Sequence, residues 1–417
     1  MSALWPGTRT KSDTLNENGN SWRPITLVQI DIDSPSNAAP SSVLPGDRVW
    51  IEAVREGQVV GVLDMVVERD GWKPSDIQQS MSRFSEVALS SFRTVGDDQL
   101  PKATVVVPTI CESSEELVRT VSSLLALDYP DFEILVVDNR TNDDHGPLPV
   151  FPADDRVRTA SERARGASAA RNKGISLATG EIVAFTDDDA VVDRNWLRAL
   201  GARFALNEEV EGIGGLVLPM ELKSAPQLWF EEFYGGFSPS FVSTTMSMHS
   251  MKGKSALFPY APGVFGAGCN MAFRRATLQR MGGFNVCLGP GTPAKGGEDP
   301  ALFIAIALSG ATLAFEPAAL VRHTHRRTQG EFMHQVFGYG IGLTAMYTAL
   351  VARDPRQLVA LVRRLPAGFR LLTREKVDRA PNVASSYPRR TFAFQLAGMA
   401  YGPVAYALST SRTRKLK

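Results

Sequence analysis

Between residues 101 and 185 the apolar positions fall into three short runs, Ala103–Val107, Phe132–Val137 and Glu181–Phe185. The intervals between them have helical spacing. In Glu115–Leu127, residues Leu117, Val121, Leu124 and Leu125 share one face, and a second helix is expected over about 166–179. Continuous apolar strands alternating with helices predict a mostly parallel sheet covered on both faces, an α/β class with a Rossmann-like half. Residues 24–70 alternate with period two instead. Arg48–Val54, the turn Arg55-Glu-Gly57 and Val59–Val67 predict a hairpin.

The flanks read differently. Residues 1–22 have no periodicity and are expected to be disordered. Residues 71–100 are expected to hold one helix and a linker. Arg356–Leu372 predicts an amphipathic helix with Leu358, Leu361, Val362 and Leu365 on one face, interrupted at Pro366. Thr391–Leu408 is apolar but broken by Gln395, Gly398, Gly402 and Pro403, which predicts a buried or interfacial helix rather than a membrane span. The expected division is 1–22, a β-rich module with linker at 23–100, the main domain at 101–330 and a basic helical region at 331–417.

Composition changes the picture at one point. Apolar content is 44%, charged content 21% and net charge +1 over 417 residues, so a sizeable core is expected and nucleic acid is not an expected partner. From 353 to 417, however, fourteen Lys or Arg face three Asp or Glu. A basic tail on an acidic body points to an anionic surface, most simply a membrane. Cys111, Cys269 and Cys287 form no CxxC pair and read as free thiols in a reducing compartment. No apolar signal core lies in the first 30 residues, and the expected location is the cytoplasm, peripheral at the cytoplasmic face of a membrane.

The chemistry concentrates where strands end. Asp187-Asp188-Asp189 follows the third strand after Thr186 alone, and Asp138 closes the second. Carboxylates at the carboxyl edge of an open α/β sheet stand where such folds bind ligands. An oxygen-rich cluster favours Mg²⁺ or Mn²⁺, held together with substrate phosphates. Glu298-Asp299-Pro300 also has the form of a helix start, with a capping residue before proline.

Seven motifs occur in one order: Pro108-Thr109, Val136-Val-Asp-Asn139, Gly166–Gly174, Phe185–Asp189, Gly266–Asn270, Gly282-Gly-Phe284 and Gly297-Glu-Asp299. Together they resemble family 2 glycosyltransferases of the GT-A fold, over about residues 101–330. The resemblance implies an inverting enzyme that moves a sugar from a UDP-, dTDP- or GDP-sugar to a hydroxyl of a polysaccharide, glycolipid or lipid-linked glycan. It implies that Asp138 meets the nucleobase. Pro108, Thr109, Glu112, Arg171, Asn172, Asp187 and Asp188 would line the donor, with Arg171 and Asn172 on the diphosphate side. Asp187, Asp189 and His323 would hold the metal, with His325, Arg326 and Arg327 nearby. Glu298 and Asp299 would form the catalytic pair, Asp299 being the general base. Ala301 replaces an acidic residue common in the family, and Asp138-Asn-Arg-Thr replaces Asp-Asp-Gly-Ser. Gln-x-x-Arg-Trp, a signature of processive members, is absent, which points to single-sugar transfer.

Two other classes share these features. A sugar nucleotidyltransferase would want a glycine-rich, basic loop after the first strand, and Pro108-Thr-Ile-Cys-Glu112 is not one. A non-catalytic glycan-assembly protein on the same fold would not need both Asp189 and Asp299. No G-x-G-x-x-G follows the first strand, which argues against a dehydrogenase. The aromatic residues of 219–265 are suited to sugar faces or to packing on one another.

Overall fold

The computed structural model describes residues 23–33, 43–141, 146–237, 240–378 and 390–415. The expectation of disorder over 1–22 lies outside them. Three strands, β1 (Thr26–Asp31), β2 (Arg48–Arg55) and β3 (Gln58–Val66), form a small sheet in which β2 and β3 make the expected hairpin. Helix α1 (Pro74–Met81) follows.

The main sheet is built from β4 (Ala103–Thr109), β5 (Phe132–Asp138), β6 (Val157–Ser161), β7 (Ile182–Phe185), β8 (Ala190–Val192), β9 (Val210–Pro219), β10 (Thr244–Met246), β11 (Met271–Arg274) and β12 (Thr312–His323). Its order is β10-β12-β9-β11-β7-β4-β5-β6, with β8 paired to β12. The expected parallel half is β7-β4-β5-β6. β11 runs antiparallel to both β7 and β9, while β9 and β12 are parallel. Two reversals cancel, so β4, β5, β7, β9 and β12 all end at one edge, and β11 begins there.

Helices cover both faces. α2 (Ser114–Leu125) starts where the Ser113 hydroxyl accepts from the Glu116 amide at 3.2 Å, and it buries Leu117, Val121 and Leu124. α3 (Ala167–Leu177), α4 (Trp196–Leu206), α5 (Ala225–Trp229), α6 (Arg275–Met281) and α7 (Glu298–Leu308) follow. α7 corrects the expected cap. Its first residue is Glu298, preceded by Gly297 at φ 85°, so Asp299 lies inside the first turn. Only glycine suits that position, because a Cβ would meet the Gly342 carbonyl at 2.6 Å.

The C-terminal region is helical: α8 (Gln329–Arg353), α9 (Arg356–Asp378) and α10 (Thr391–Lys415). Pro366 does not interrupt α9, and Gly398, Gly402 and Pro403 do not interrupt α10. The glycines let α10 lie against α8. A Cβ on Gly398 would meet the Phe337 carbonyl at 2.2 Å, and one on Gly340 would meet the Gln395 carbonyl at 2.3 Å. Thr344 Oγ1 donates to the Met399 carbonyl across this contact at 2.7 Å. Among the described residues, α8 alone has the length and apolar composition of a membrane-crossing helix, and half of its apolar stretch is buried.

The N-terminal sheet packs on the end of the main sheet through Ile25, Trp50, Val59 and Val62 against Leu216, Leu218, Leu222 and Leu320. Buried Glu52 receives Arg322 in a bidentate pair at 2.8 and 2.6 Å. That clamp holds the strand end that carries His323.

Candidate active site at the carboxyl edge of the sheet

Strand direction brings the predicted carboxylates together. β4 delivers Thr109, β5 Asp138, β7 the run Asp187–Asp189 and β12 His323, all at one edge. Register does the fine placement. β12 pairs His323 with Ala190, which sets the imidazole beside Asp189, and His323 Nε2 lies 3.3 Å from Asp189 Oδ1. β11 pairs Met271 with Phe185 in antiparallel register, so the chain two residues outward, at Cys269, is level with Asp187. One ligand atom each from Asp187, Cys269 and His323 lie within 4.8 Å of one another.

The charges interact accordingly. Burial pushes Asp187 above the usual carboxylate range, against the pull of Arg171. Burial also pushes on Asp189, but His323 outweighs it and holds Asp189 below its ordinary value. His323 is correspondingly raised: burial disfavours its charge, and Asp189 more than compensates. Its Nδ1 is buried without a hydrogen-bond partner. Burial pushes the Cys269 thiol well up.

This donor set fits a divalent cation. The Asp187 carboxylate, the Cys269 thiol and the His323 imidazole converge, and Asp189 lies against the same imidazole at 3.3 Å. Imidazole suits Mn²⁺ better than Mg²⁺.

Asp299 lies beside the Gly266–Asn270 segment. A Cβ built on Gly268 would meet Asp299 Oδ2 at 3.2 Å and Arg171 Nη2 at 3.4 Å. Burial first, and then the neighbouring Glu298 charge, push Asp299 up to about 8.

Several expected donor-facing residues are turned inward. Arg171 is 3% exposed, donating from Nη1 to Glu298 Oε1 at 2.7 Å and from Nη2 to Asp187 Oδ1 at 3.1 Å. It ties Asp187 to Glu298, with both terminal nitrogens engaged by carboxylates. Glu298 is likewise committed to Arg171 and 4% exposed, so it holds α7 in place rather than joining the chemistry. The Asn172 side chain is used up on the Phe284 backbone, accepting from its amide and donating to its carbonyl, both at 2.8 Å.

Thr109 donates to Asp188 and accepts from the Cys111 amide, so Asp188 is held against β4. Burial pushes Asp188 up to about 7. Pro108 is half-buried at the end of β4, and Glu112 is exposed beyond it. Arg326 draws on Asp189 electrostatically, Arg327 pairs with Glu221 at 2.7 Å, and His325 pairs with Glu231 at 2.5 Å.

Asp138 sits apart, on a cleft of about 580 Å³ lined by Arg140, Phe151, Thr159, Ser161 and Arg163 among others. Arg140 grips it at 2.9 and 2.7 Å. Asn139 explains the departure next door. It is buried, donating to the Glu162 and Ala164 carbonyls at 2.7 and 2.8 Å and accepting from the Gly166 amide at 2.8 Å. That triple bond set positions the start of α3 and needs the amide, which a carboxylate could not replace.

The sequence reading assigned Cys269 and Asn270 no role. Asn270 accepts from the Trp196 indole at 2.8 Å and donates to the Leu216 and Ala319 carbonyls at 2.8 and 2.7 Å. It thereby fixes the turn that presents Cys269. The only signal in the sequence was their place inside the Gly266–Asn270 motif.

Known proteins share this arrangement of motifs. Residues 104–281 match the family model described as Glycosyl transferase family 2. A glucosyl-dolichyl phosphate glucuronosyltransferase of Haloferax volcanii is 36% identical over 141 residues, 32% of this chain and 44% of that protein. A pre-mycofactocin glycosyltransferase of Mycobacterium tuberculosis is 26% identical over 266 residues, 62% of this chain and 49% of that protein. Each match thus spans less than half of the relative's length. A mannosyltransferase of Pyrobaculum calidifontis, solved with GDP-Man and Mn²⁺, is 20% identical with a TM-score of 0.48, covering 76% of this chain and 89% of that one. The match over residues 104–281 makes this segment of the chain similar to glycosyltransferase family 2, and the chain spans about half the length of the curated relatives it matches.

Proposed function

We propose that the protein is a metal-dependent inverting glycosyltransferase that moves one sugar from a nucleotide-sugar donor to an acceptor hydroxyl. One observation carries this reading: a cation-type donor set that includes Cys269 lies next in sequence to Gly268, where a Cβ would meet Asp299 Oδ2 at 3.2 Å. Asp189, Asp187 and His323 would hold Mn²⁺ or Mg²⁺, which when bound supplies charge neutralisation for the leaving nucleoside diphosphate. Asp138 and the cleft beside it would receive the nucleobase of a UDP-, dTDP- or GDP-sugar.

Asp299 takes the proton of the acceptor hydroxyl, a poor nucleophile until a positioned base does so. Its raised proton affinity, near 8, matches that role at neutral pH. Arg171 and Glu298 keep Asp299 and Asp187 at fixed separation, and small misplacements in such a line-up are costly to rate.

The acceptor reading is a glycan or lipid-linked glycan at a membrane surface. On α9, Leu358, Val359, Val362 and Leu365 are each more than half exposed, on a helix that also carries Arg356, Arg363 and Arg364. On α10, Phe394, Tyr401, Val404 and Leu408 are exposed ahead of Arg412 and Arg414. Apolar stripes with arginine suit an anionic bilayer surface. The lipid-linked substrate in the name of the Haloferax relative supports the same direction.

The test is a thermal-shift screen of UDP, GDP, dTDP, CDP and ADP with Mn²⁺ or with EDTA, on wild type and Asp189→Ala. Stabilisation by one nucleotide that needs both metal and Asp189 is expected. No shift with any nucleotide would favour the non-catalytic assembly reading, and pyrophosphate release from a nucleoside triphosphate and a sugar phosphate would favour a nucleotidyltransferase. Flotation with anionic but not zwitterionic vesicles tests the surface.

A further inference from the structure

The metal-facing edge holds one group that the proposed reaction does not use. Cys269 is 3% exposed, it lies level with Asp187 by the β11–β7 register, and among the described residues no hydrogen bond engages its sulfur apart from one to its own backbone. Its Sγ, an Asp187 oxygen and a His323 ring nitrogen lie within 4.8 Å of one another. The His323 Nδ1 in the same place is buried and unsatisfied. Asn270, bonded to Trp196 and to the Leu216 and Ala319 carbonyls of β9 and β12, fixes the turn that presents the thiol.

We propose that Cys269 is a ligand of the metal centre, making it a mixed oxygen, nitrogen and sulfur site for thiophilic divalent ions such as Zn²⁺, Co²⁺ and Cd²⁺ as well as Mn²⁺. This rests on the reading of Asp187, Asp189 and His323 as the metal site. Oxygen, nitrogen and sulfur donors from Asp187, His323 and Cys269, with Asp189 beside them, match the preferences of Zn²⁺, whereas hard Mg²⁺ gains little from sulfur. Binding forms a metal–sulfur bond and releases the thiol proton to solvent, with no change of oxidation state. The consequence is a regulatory one: Zn²⁺ competes for the centre and excludes the hard ion that the diphosphate requires. A serine at 269 would keep the hard-ion site and lose the soft-ion preference.

The test uses the full-length, metal-free protein titrated with Co²⁺ and followed by absorption. One Co²⁺ per chain is expected to produce visible d–d bands together with a near-ultraviolet sulfur-to-cobalt charge-transfer band. Cys269→Ser should lose the charge-transfer band, whereas Cys111→Ser and Cys287→Ser keep it. Mn²⁺ binding, read by electron paramagnetic resonance, should persist in Cys269→Ser, which also shows that this variant folds. Zn²⁺ should displace Mn²⁺ from wild type at a concentration at least about tenfold lower than from Cys269→Ser, about 1.4 kcal/mol of preference.

Bound Co²⁺ or Mn²⁺ without a charge-transfer band in wild type would overturn the role of Cys269 and leave the metal reading intact. Failure of both ions to bind would overturn both.

Discussion

Replacing Arg171 with Met tests the structural core of the site. The guanidinium is 4% exposed and Glu298 5%, with 2.7 Å between donor and acceptor, and Asp187 is a second partner at 3.1 Å. Two unit charges about 4 Å apart at an effective dielectric constant of about 20 attract by about 4 kcal/mol. Removing one partner of a buried pair leaves the other charged and unsolvated, at a cost of about 3–5 kcal/mol. For a domain of this size that corresponds to a fall in Tm of roughly 6–20 °C. The double variant Arg171→Met with Glu298→Gln removes the stranded charge, so it should recover much of the loss and show a coupling of about 1–3 kcal/mol.

The assay is thermal and urea unfolding of both singles and the double in metal-free buffer, followed by circular dichroism and tryptophan fluorescence. A fall below about 2 °C for Arg171→Met, or additivity in the double, would refute the clamp. Arg171 would then be a solvated residue available to a phosphate, as its motif first implied.

Other outcomes follow from the same geometry. Asp299→Asn should lower kcat by at least about 100-fold while nucleotide and Mn²⁺ binding stay unchanged, and wild-type activity should rise with pH through the region near 8 as Asp299 ionises. Loss of nucleotide binding in that variant would contradict the assignment of Asp299 as base. Asp188 binds its proton more tightly folded than unfolded, so its contribution to stability is present below about pH 4 and is lost as pH rises to about 7. Asp188→Asn should therefore be more stable than wild type at pH 8, by at most about 4 kcal/mol, with the gap closing near pH 4; a pH-independent difference in Tm would refute this. Gly398→Val places a side chain against the Phe337 carbonyl and should detach α10 from α8. New cleavage near the C-terminus in limited proteolysis would show it, and an unchanged digest would refute the packing.

Much of the fold was legible in the sequence because it is a matter of period and run length. The runs at 103–107, 132–137 and 181–185 became β4, β5 and β7, the last starting one residue later at Ile182, and the hairpin at 48–67 became β2 and β3. The helix expected over 391–408 became α10, where Gly398 and Gly402 weaken an isolated helix yet permit close contact with α8, so tertiary packing overrides propensity. The interruption expected at Pro366 was misread, since α9 runs through it.

The local sequence determined which strands end in carboxylates, and so which edge of the sheet carries the charge. What each side chain faces was decided by partners distant in sequence. Arg171 meets Glu298 127 residues away and therefore points inward, although its motif reads as a phosphate contact. Asp188 is held by Thr109, 79 residues away, and so is separated from Asp187 and Asp189 in role despite standing between them. Cys269 reaches the carboxylate edge beside Asp187 because β11 runs antiparallel between β7 and β9. Periodicity is a property of neighbouring residues and survives in one dimension. Strand order and register arise only when the whole sheet assembles, because the free energy of burying a charge depends on what else is buried beside it.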